Sequence, residues 1–343
     1  MSGEVGGEEV RDATAIGGEA RSILFAGEPS AAGARTSEAA RVTSTLPMVW
    51  VNGERAAHDA MHVSALDRGF TLADGIFETM LVRYGMIFRP ERHLDRLHDG
   101  ARVLRIELPY AIRDWLEEAA FRTGSALGSG AAAVRLTVSR RPEAHGLAPR
   151  GWGAATVVIT GDALPEFPAS LYEQGLSALT ASARRDARSL TAGVKTLSYT
   201  ETIAALARAR DEGADEVVFL DTEGHVSEAS ASNIFVAIGG ALATPPLSCG
   251  VLPGITREAI MELAATLDLQ VMERPVDPSE LAGADEAFLT SSLRGVAPLV
   301  RVDGRAIGSG SVGELTRKVS AAYSELVENE CARASRRLGS MVR

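Results

Sequence analysis

The sequence predicts a two-domain chain, α+β / α/β in class: a small α+β N-terminal domain followed by a larger domain built on a mixed sheet. Three observations predict it. The chain has 343 residues and 45% hydrophobic content, enough for two cores. Strand-like and helix-like periods alternate from residue 48 to about residue 330. Between the halves, 162–172 carries two prolines and no strong period, which marks a linker. The expected boundaries are a disordered tail over 1–46, a small domain over 47–161, a linker over 162–174, a larger domain over 175–330 and a C-terminal tail over 331–343.

The tail is rich in Gly, Ala, Glu and Ser and buries little. Order begins at Met48-Val49-Trp50-Val51, a strand closed by the turn pair Asn52-Gly53. Phe77 to Val82, Tyr84-Gly85 and Met86 to Phe88 read as a hairpin. Leu94, Leu97, Ala101 and Leu104 recur at helical spacing, so Pro90 to Leu104 is a helix, and Ile112 to Leu127 a second. Ala133 to Ser139 and Ala155 to Thr160 complete the first domain as strands. The second domain opens at Gly175 to Leu179. Its strands include Glu216 to Leu220, Ile234 to Ile238 and Ala287 to Thr290; its helices include Thr196 to Glu212, Thr256 to Leu267 and Val312 to Glu330.

Composition narrows the function classes. A net charge of −10 gives a phosphate backbone nothing to attract, so nucleic acid is not an expected partner. Cys249 and Cys331 lie far apart and read as reduced thiols of a cytoplasmic protein. No apolar run is long enough to span a membrane, and the N-terminus lacks the pattern of a secretory signal. No metal is expected: His58 and His62 share helical spacing but lack a third ligand. Gly308-Ser-Gly-Ser-Val-Gly313 fits a dinucleotide pattern, yet no parallel strand follows it, and it reads as a flexible turn.

Three features carry chemistry. Lys195 stands at a polar helix entrance, before a helix whose apolar positions Leu197, Ile203, Ala204 and Leu206 imply burial. Glu228 follows in a strand, sharing a face with Val226. A helix start comes next, Leu252-Pro-Gly-Ile-Thr-Arg257, where Gly254 permits close approach and Ile255 and Thr256 present backbone N–H groups. An amine, an acid and an anion-binding helix end are what a pyridoxal phosphate (PLP) site requires. Thr290-Ser291-Ser292 is a second hydroxyl-rich turn suited to the phosphate, and Arg96 on the first helix supplies a guanidinium fork. Each has an ordinary reading too: a solvated lysine, an edge-strand glutamate, a helix cap, a surface arginine.

Together these stretches resemble the fold-type IV PLP enzymes: branched-chain aminotransferases, D-amino acid aminotransferases and 4-amino-4-deoxychorismate lyases. The resemblance covers roughly 48–325. It rests on Asp67-Arg-Gly-Phe70 leading to Asp74-Gly-Ile-Phe-Glu-Thr79, on His93-x-x-Arg96-Leu97, on Lys195-Thr-Leu-Ser-Tyr199, on Glu228-Ala-Ser-Ala-Ser-Asn233-Ile-Phe235, and on Leu252-Pro-Gly-Ile-Thr-Arg257. It implies a larger domain of the D-amino acid aminotransferase-like type. It implies Lys195 as Schiff-base lysine and proton carrier, Glu228 on the pyridine nitrogen, and Arg96, Ile255, Thr256 and Ser292 on the phosphate. Asn233 would fix the turn after Glu228. Tyr199 would contact the cofactor's phenolic oxygen or simply pack in the core. Phe77, Arg135 and His145 would form the substrate side, with His145 standing where an arginine is expected. The family's active unit is typically a homodimer with a loop lent by the partner.

The wording Asp-Gly-x-Phe-Glu-Thr and Lys-x-Leu-x-Tyr is nearer the lyases, whose threonine in the position of Thr79 assists the leaving step. The resemblance therefore implies a lyase that forms pyruvate and 4-aminobenzoate, for folate synthesis, from a small amino substrate. The alternative is a transaminase acting on branched-chain or D-amino acids. A PLP-carrying protein without turnover is a third reading.

Overall fold

A computed structural model describes residues 47–56, 63–128, 130–142, 146–149 and 152–341. The described residues cluster as one compact unit. The tail expected over 1–46, the paired His58 and His62, and His145 lie outside the described residues.

The first half builds on strands β1 (Met48–Val51), β2 (Glu54–Ala56), helix α1 (Arg68–Leu72), β3 (Gly75–Arg83), β4 (Met86–Ile87), α2 (Pro90–Leu104), β5 (Ile106–Glu107), α3 (Ile112–Ala126), β6 (Ala132–Arg140) and β7 (Gly153–Ala163). Turn chemistry sets the two hairpins. Asn52 and Gly53 both take positive φ (50° and 85°), as do Tyr84 and Gly85 (55° and 72°), the backbone twist that a two-residue hairpin needs. α2 starts on a proline and buries Leu94, Leu97 and Ala101. Among the described residues the sheet runs β2-β1-β7-β6-β3-β4, with β5 beside β7. Leu94 and Leu97 of α2 and Leu116 and Ala119 of α3 pack with Met80, Val134, Leu136 and Ile159 into one core.

The second half continues with α4 (Ala169–Glu173), β8 (Leu176–Arg185), α5 (Thr200–Asp211), β9 (Glu216–Asp221), β10 (Val226–Ala229), β11 (Asn233–Ile238), β12 (Ala241–Thr244), α6 (Ile255–Thr266), β13 (Val271–Glu273), α7 (Pro278–Ala282), β14 (Glu286–Ser291), β15 (Gly295–Val302), β16 (Arg305–Ala306) and α8 (Glu314–Met341). Its sheet runs β10-β9-β8-β15-β14-β11-β12-β13, with β16 beside β15. It is mixed: β8 runs parallel to β9 and β15, while β11, β14 and β15 are antiparallel neighbours. One core packs Phe235 and Phe288, stacked at 5.1 Å, against Ile260 of α6 and Val319, Tyr323 and Val327 of α8.

Several expectations shift. Of the stretch expected as a linker over 162–174, only 164–168 and a few residues after Glu173 lie outside helix and strand, because β7 runs on to Ala163 and Ala169–Glu173 is helical. No C-terminal tail begins at 331: Cys331 is buried on α8, which continues to Met341. The helix expected from Thr196 starts at Thr200, and Ile203 is 65% exposed rather than buried. The glycine-rich run at 308–313 lies in the turn between β16 and α8.

Candidate active site

Lys195 is fixed by β3, not by a helix. Its carbonyl accepts the Phe77 N–H at 3.0 Å, and the Leu197 N–H donates to the Gly75 carbonyl at 2.9 Å. An isolated bridge joins Ile76 to Thr196. This spends the backbone of 195–197 on a strand, so α5 cannot begin there. Gly75 is required for the approach: a Cβ there would strike the Val138 carbonyl and Leu197.

The lysine points into a cleft of about 760 Å³ lined by both halves of the unit. Its Nζ lies 4.4 Å from the centre of the Phe77 ring and 3.3 Å from the Tyr199 hydroxyl. Burial first, then the charge of Arg96, pushes its pKa down to about 8; Glu78 and Glu228 pull the other way and lose. An amine in that state is a competent nucleophile near neutral pH. Burial, reinforced by the charge of Glu228, pushes Tyr199 up to about 12, so its hydroxyl stays protonated beside the amine.

Glu228 faces the same cleft, although not by simple strand alternation. The β9–β10 ladder is irregular between Val226 and Ala229, and both pack in one core, which turns Glu228 away from Val226 and into the cleft. Oε2 accepts the Leu252 N–H at 3.0 Å, and Oε1 lies 3.7 Å from Arg185 Nε. Burial raises its pKa; the Leu252 N–H and Arg185 restrain that rise. Arg185 itself stacks over Phe219 at 3.8 Å, and among the described residues its Nε has no hydrogen-bond partner.

At the far end, α6 presents the N–H groups of Ile255 and Thr256, which have no partner within the helix. A Cβ on Gly254 would collide with the Asn233 side chain, whose Nδ2 donates to the Leu252 carbonyl at 2.9 Å. Asn233 thus ties β11 to the loop before α6, a different task from fixing the turn after Glu228. The Thr256 hydroxyl lies 3.2 Å from that of Tyr323. Ser292 lines the cleft, as does Thr290, whose buried hydroxyl has no partner among the described residues.

Arg96 is held by a carboxylate that sequence reasoning missed. Glu78, 1% exposed, accepts from Arg96 Nε at 2.8 Å and Nη2 at 2.6 Å, and lies 2.7 Å from His93 Nδ1. Arg96 Nη1 donates to the Pro253 carbonyl at 2.8 Å. Of five guanidinium N–H groups, one on each terminal nitrogen has no partner among the described residues and is available to an anion. Burial would push Glu78 up, but the Arg96 charge and the bonds from Arg96 and His93 win and hold it down at about 2. The signal was present: Glu78 sits inside the quoted Phe-Glu-Thr run, and His93 and Arg96 are one turn apart on α2.

The remaining wall comes from β3 and β6. Phe77 and Thr79 alternate onto the cleft, and Arg135 lies directly opposite Thr79. Its guanidinium stacks 3.7 Å from the Phe77 centroid. Among the described residues no carboxylate lies within ion-pair distance of Arg135.

This donor set fits PLP. The orphaned Thr290 hydroxyl, the open end of α6 and the free N–H groups of Arg96 converge on one end, where a phosphate would satisfy them. Glu228 and Lys195 face the same space, an acid for a ring nitrogen and an amine for an aldehyde.

The comparisons agree. The family described as amino-transferase class IV matches residues 75–302, and the chain belongs to it. A branched-chain-amino-acid aminotransferase of Pseudomonas aeruginosa is 32% identical over 289 residues, covering 82% of this chain and 94% of its own. The crystal structure of the T.th. branched-chain amino acid aminotransferase with pyridoxamine 5'-phosphate superposes with TM-score 0.76 at 27% identity, covering 82% of this chain and 94% of that one. That of 4-amino-4-deoxychorismate lyase from Pseudomonas aeruginosa gives TM-score 0.69 at 34% identity, covering 80% and 97%.

Two outcomes test this geometry. Glu78→Gln leaves the Arg96 charge without its carboxylate and is expected to cost about 3 kcal/mol in urea unfolding at pH 7 and to weaken cofactor binding. Because the folded-state pKa of Glu78 is depressed, its contribution is present above the unfolded value and vanishes as pH falls toward about 2; the stability gap between wild type and variant should close over that window. For Lys195, capture of PLP by the apoprotein requires the neutral amine. Its rate should rise about tenfold per pH unit below about 8 and level off above, followed by stopped-flow absorbance. A rate still climbing at pH 10 would mean an unperturbed lysine.

Proposed function

We propose that this chain is a PLP-dependent aminotransferase that passes the amino group of an amino acid to a 2-oxo acid. The observation that carries it is the desolvated amine of Lys195, set between Glu228 and the open end of α6. The similarity to branched-chain aminotransferases across most of the chain supports the same reading.

When bound, the cofactor supplies a sink for the electron pair released at the substrate's Cα. The chain's residues supply the rest. Ile255, Thr256, Ser292 and Arg96 hold the phosphate end. Glu228 accepts from the protonated ring nitrogen, a cation that relieves the burial penalty on its carboxylate. Arg135, free of any ion pair among the described residues, binds the substrate carboxylate. Phe77 and Tyr199 give an apolar wall to the side chain. The Lys195 amine, freed when substrate displaces it, would serve as the base that takes the proton from the substrate's Cα. We assign the functional unit as a homodimer, as in the family it belongs to, and its location as cytoplasmic, in keeping with two buried free cysteines.

One observation favours a second reading, the 4-amino-4-deoxychorismate lyase. The Thr79 hydroxyl lies on the cleft wall opposite Arg135, where it can pass a proton to a departing enolpyruvyl oxygen. The 34% identity to the lyase structure supports it.

A single set of assays separates the two. Holoprotein mixed with amino donors should shift from the absorbance of the pyridoxal form to that of the pyridoxamine form, and 2-oxoglutarate should then give glutamate. Lys195→Ala should slow that half-reaction by about a thousandfold or more. Pyruvate released from aminodeoxychorismate, with no amino acid converting the cofactor, would hand the assignment to the lyase.

A further inference from the structure

Behind the phosphate end of the cleft, Thr256 of α6 meets a tyrosine of α8. Thr256 lines the cleft; Tyr323, 3% exposed, does not. Their hydroxyl oxygens are 3.2 Å apart, and among the described residues neither has another hydrogen-bond partner. The Tyr323 ring is held in place on two sides. Phe88 meets it edge-on at 5.8 Å, and Gly295 leaves room at its other edge, where a Cβ would come within 3.2 Å.

Packing does not call for this hydroxyl. The seam around Tyr323 is otherwise apolar, with Ile260, Val319 and Val327 in the same core, and a phenylalanine would fill it with no polar atom to satisfy. The pair has two O–H hydrogens and one bond between them. A phenol is the more acidic hydroxyl and the better donor. Burial pushes the Tyr323 pKa up to about 12, so its proton stays in place. If Thr256 donated, the buried phenolic hydrogen would be left without an acceptor. If Tyr323 donates, the Thr256 hydrogen is released from the pair with the cleft before it. A hydroxyl that accepts a bond is also a stronger donor.

We infer that Tyr323 is a positioning residue for the cofactor's phosphate: by donating to Thr256 Oγ1, it commits the single Thr256 hydrogen to the cleft. Tyr323 thereby couples α8 to cofactor retention without touching the cofactor. This rests on the proposed function only in taking Thr256 to hold the phosphate end.

The test compares binding of PLP and of pyridoxal, the same aldehyde without its phosphate, to the apoprotein, followed by the absorbance of the bound form. Tyr323→Phe should weaken PLP binding by about three- to tenfold, the worth of one hydrogen bond, and leave pyridoxal binding as in wild type. Thr256→Val should lower the preference for PLP over pyridoxal, and adding Tyr323→Phe to it should lower that preference no further. Thr256→Ser keeps a hydroxyl and should keep the full effect of Tyr323→Phe. Unchanged PLP binding in Tyr323→Phe, a loss shared equally by PLP and pyridoxal, or a further loss of preference in the double variant would each overturn the inference. The two levels separate cleanly. If Thr256→Val loses the preference and Tyr323→Phe does not, Tyr323 alone is refuted and the aminotransferase reading stands. If Thr256→Val keeps it, the phosphate role of Thr256 fails and the inference falls with it.

Discussion

An amine kept out of bulk water among other cations is the condition on which this site depends. Lys195 has carboxylates in its surroundings, Glu78 and Glu228, and an ordinary lysine would stay charged beside them. Burial and the nearby Arg96 outweigh that pull and bring its pKa to about 8. The backbone makes this possible. By giving the Phe77 N–H to the Lys195 carbonyl and the Leu197 N–H to Gly75, the chain anchors a loop of the second half on a strand of the first. The side chain then has only the cleft to enter.

The cations around the cleft follow a common plan. Arg96 is backed by Glu78 and Arg294 by Glu216, each a carboxylate 1% exposed. A buried ion pair is a poor source of net stability, since desolvation consumes most of the attraction. Its use here is geometric. The buried partner fixes the guanidinium on the cleft wall, which lowers the entropic cost of any contact its remaining N–H groups make. Arg135 and Arg184 depart from it: among the described residues neither has a carboxylate within ion-pair distance, and Arg135 rests on the Phe77 ring.

Much of this was legible in the sequence. Helix α2 was bounded to the residue, because its proline start and its apolar period agree. Lys195, Glu228 and the α6 end each combine an uncommon residue type with a local structural signal, and all three line one cleft. Glu78 was passed over although it stands inside a quoted motif, because a lone glutamate in an apolar strand declares no partner. Glu216 and Arg294 are 78 positions apart and meet only through strand order. The late start of α5 was hidden for the same reason: the competing hydrogen bonds come from β3, about 120 residues earlier, and helical propensity cannot see them. The outward turn of Glu228 depends on a ladder irregularity that a two-residue period does not foresee.

The central claim is that one ε-nitrogen, that of Lys195, carries the cofactor. Borohydride reduction of the holoprotein followed by peptide mapping tests it most directly. The account predicts a single phosphopyridoxyl adduct on the peptide containing Lys195, and none there in Lys195→Ala. An adduct on another lysine, or full colour retained in Lys195→Ala, would contradict it.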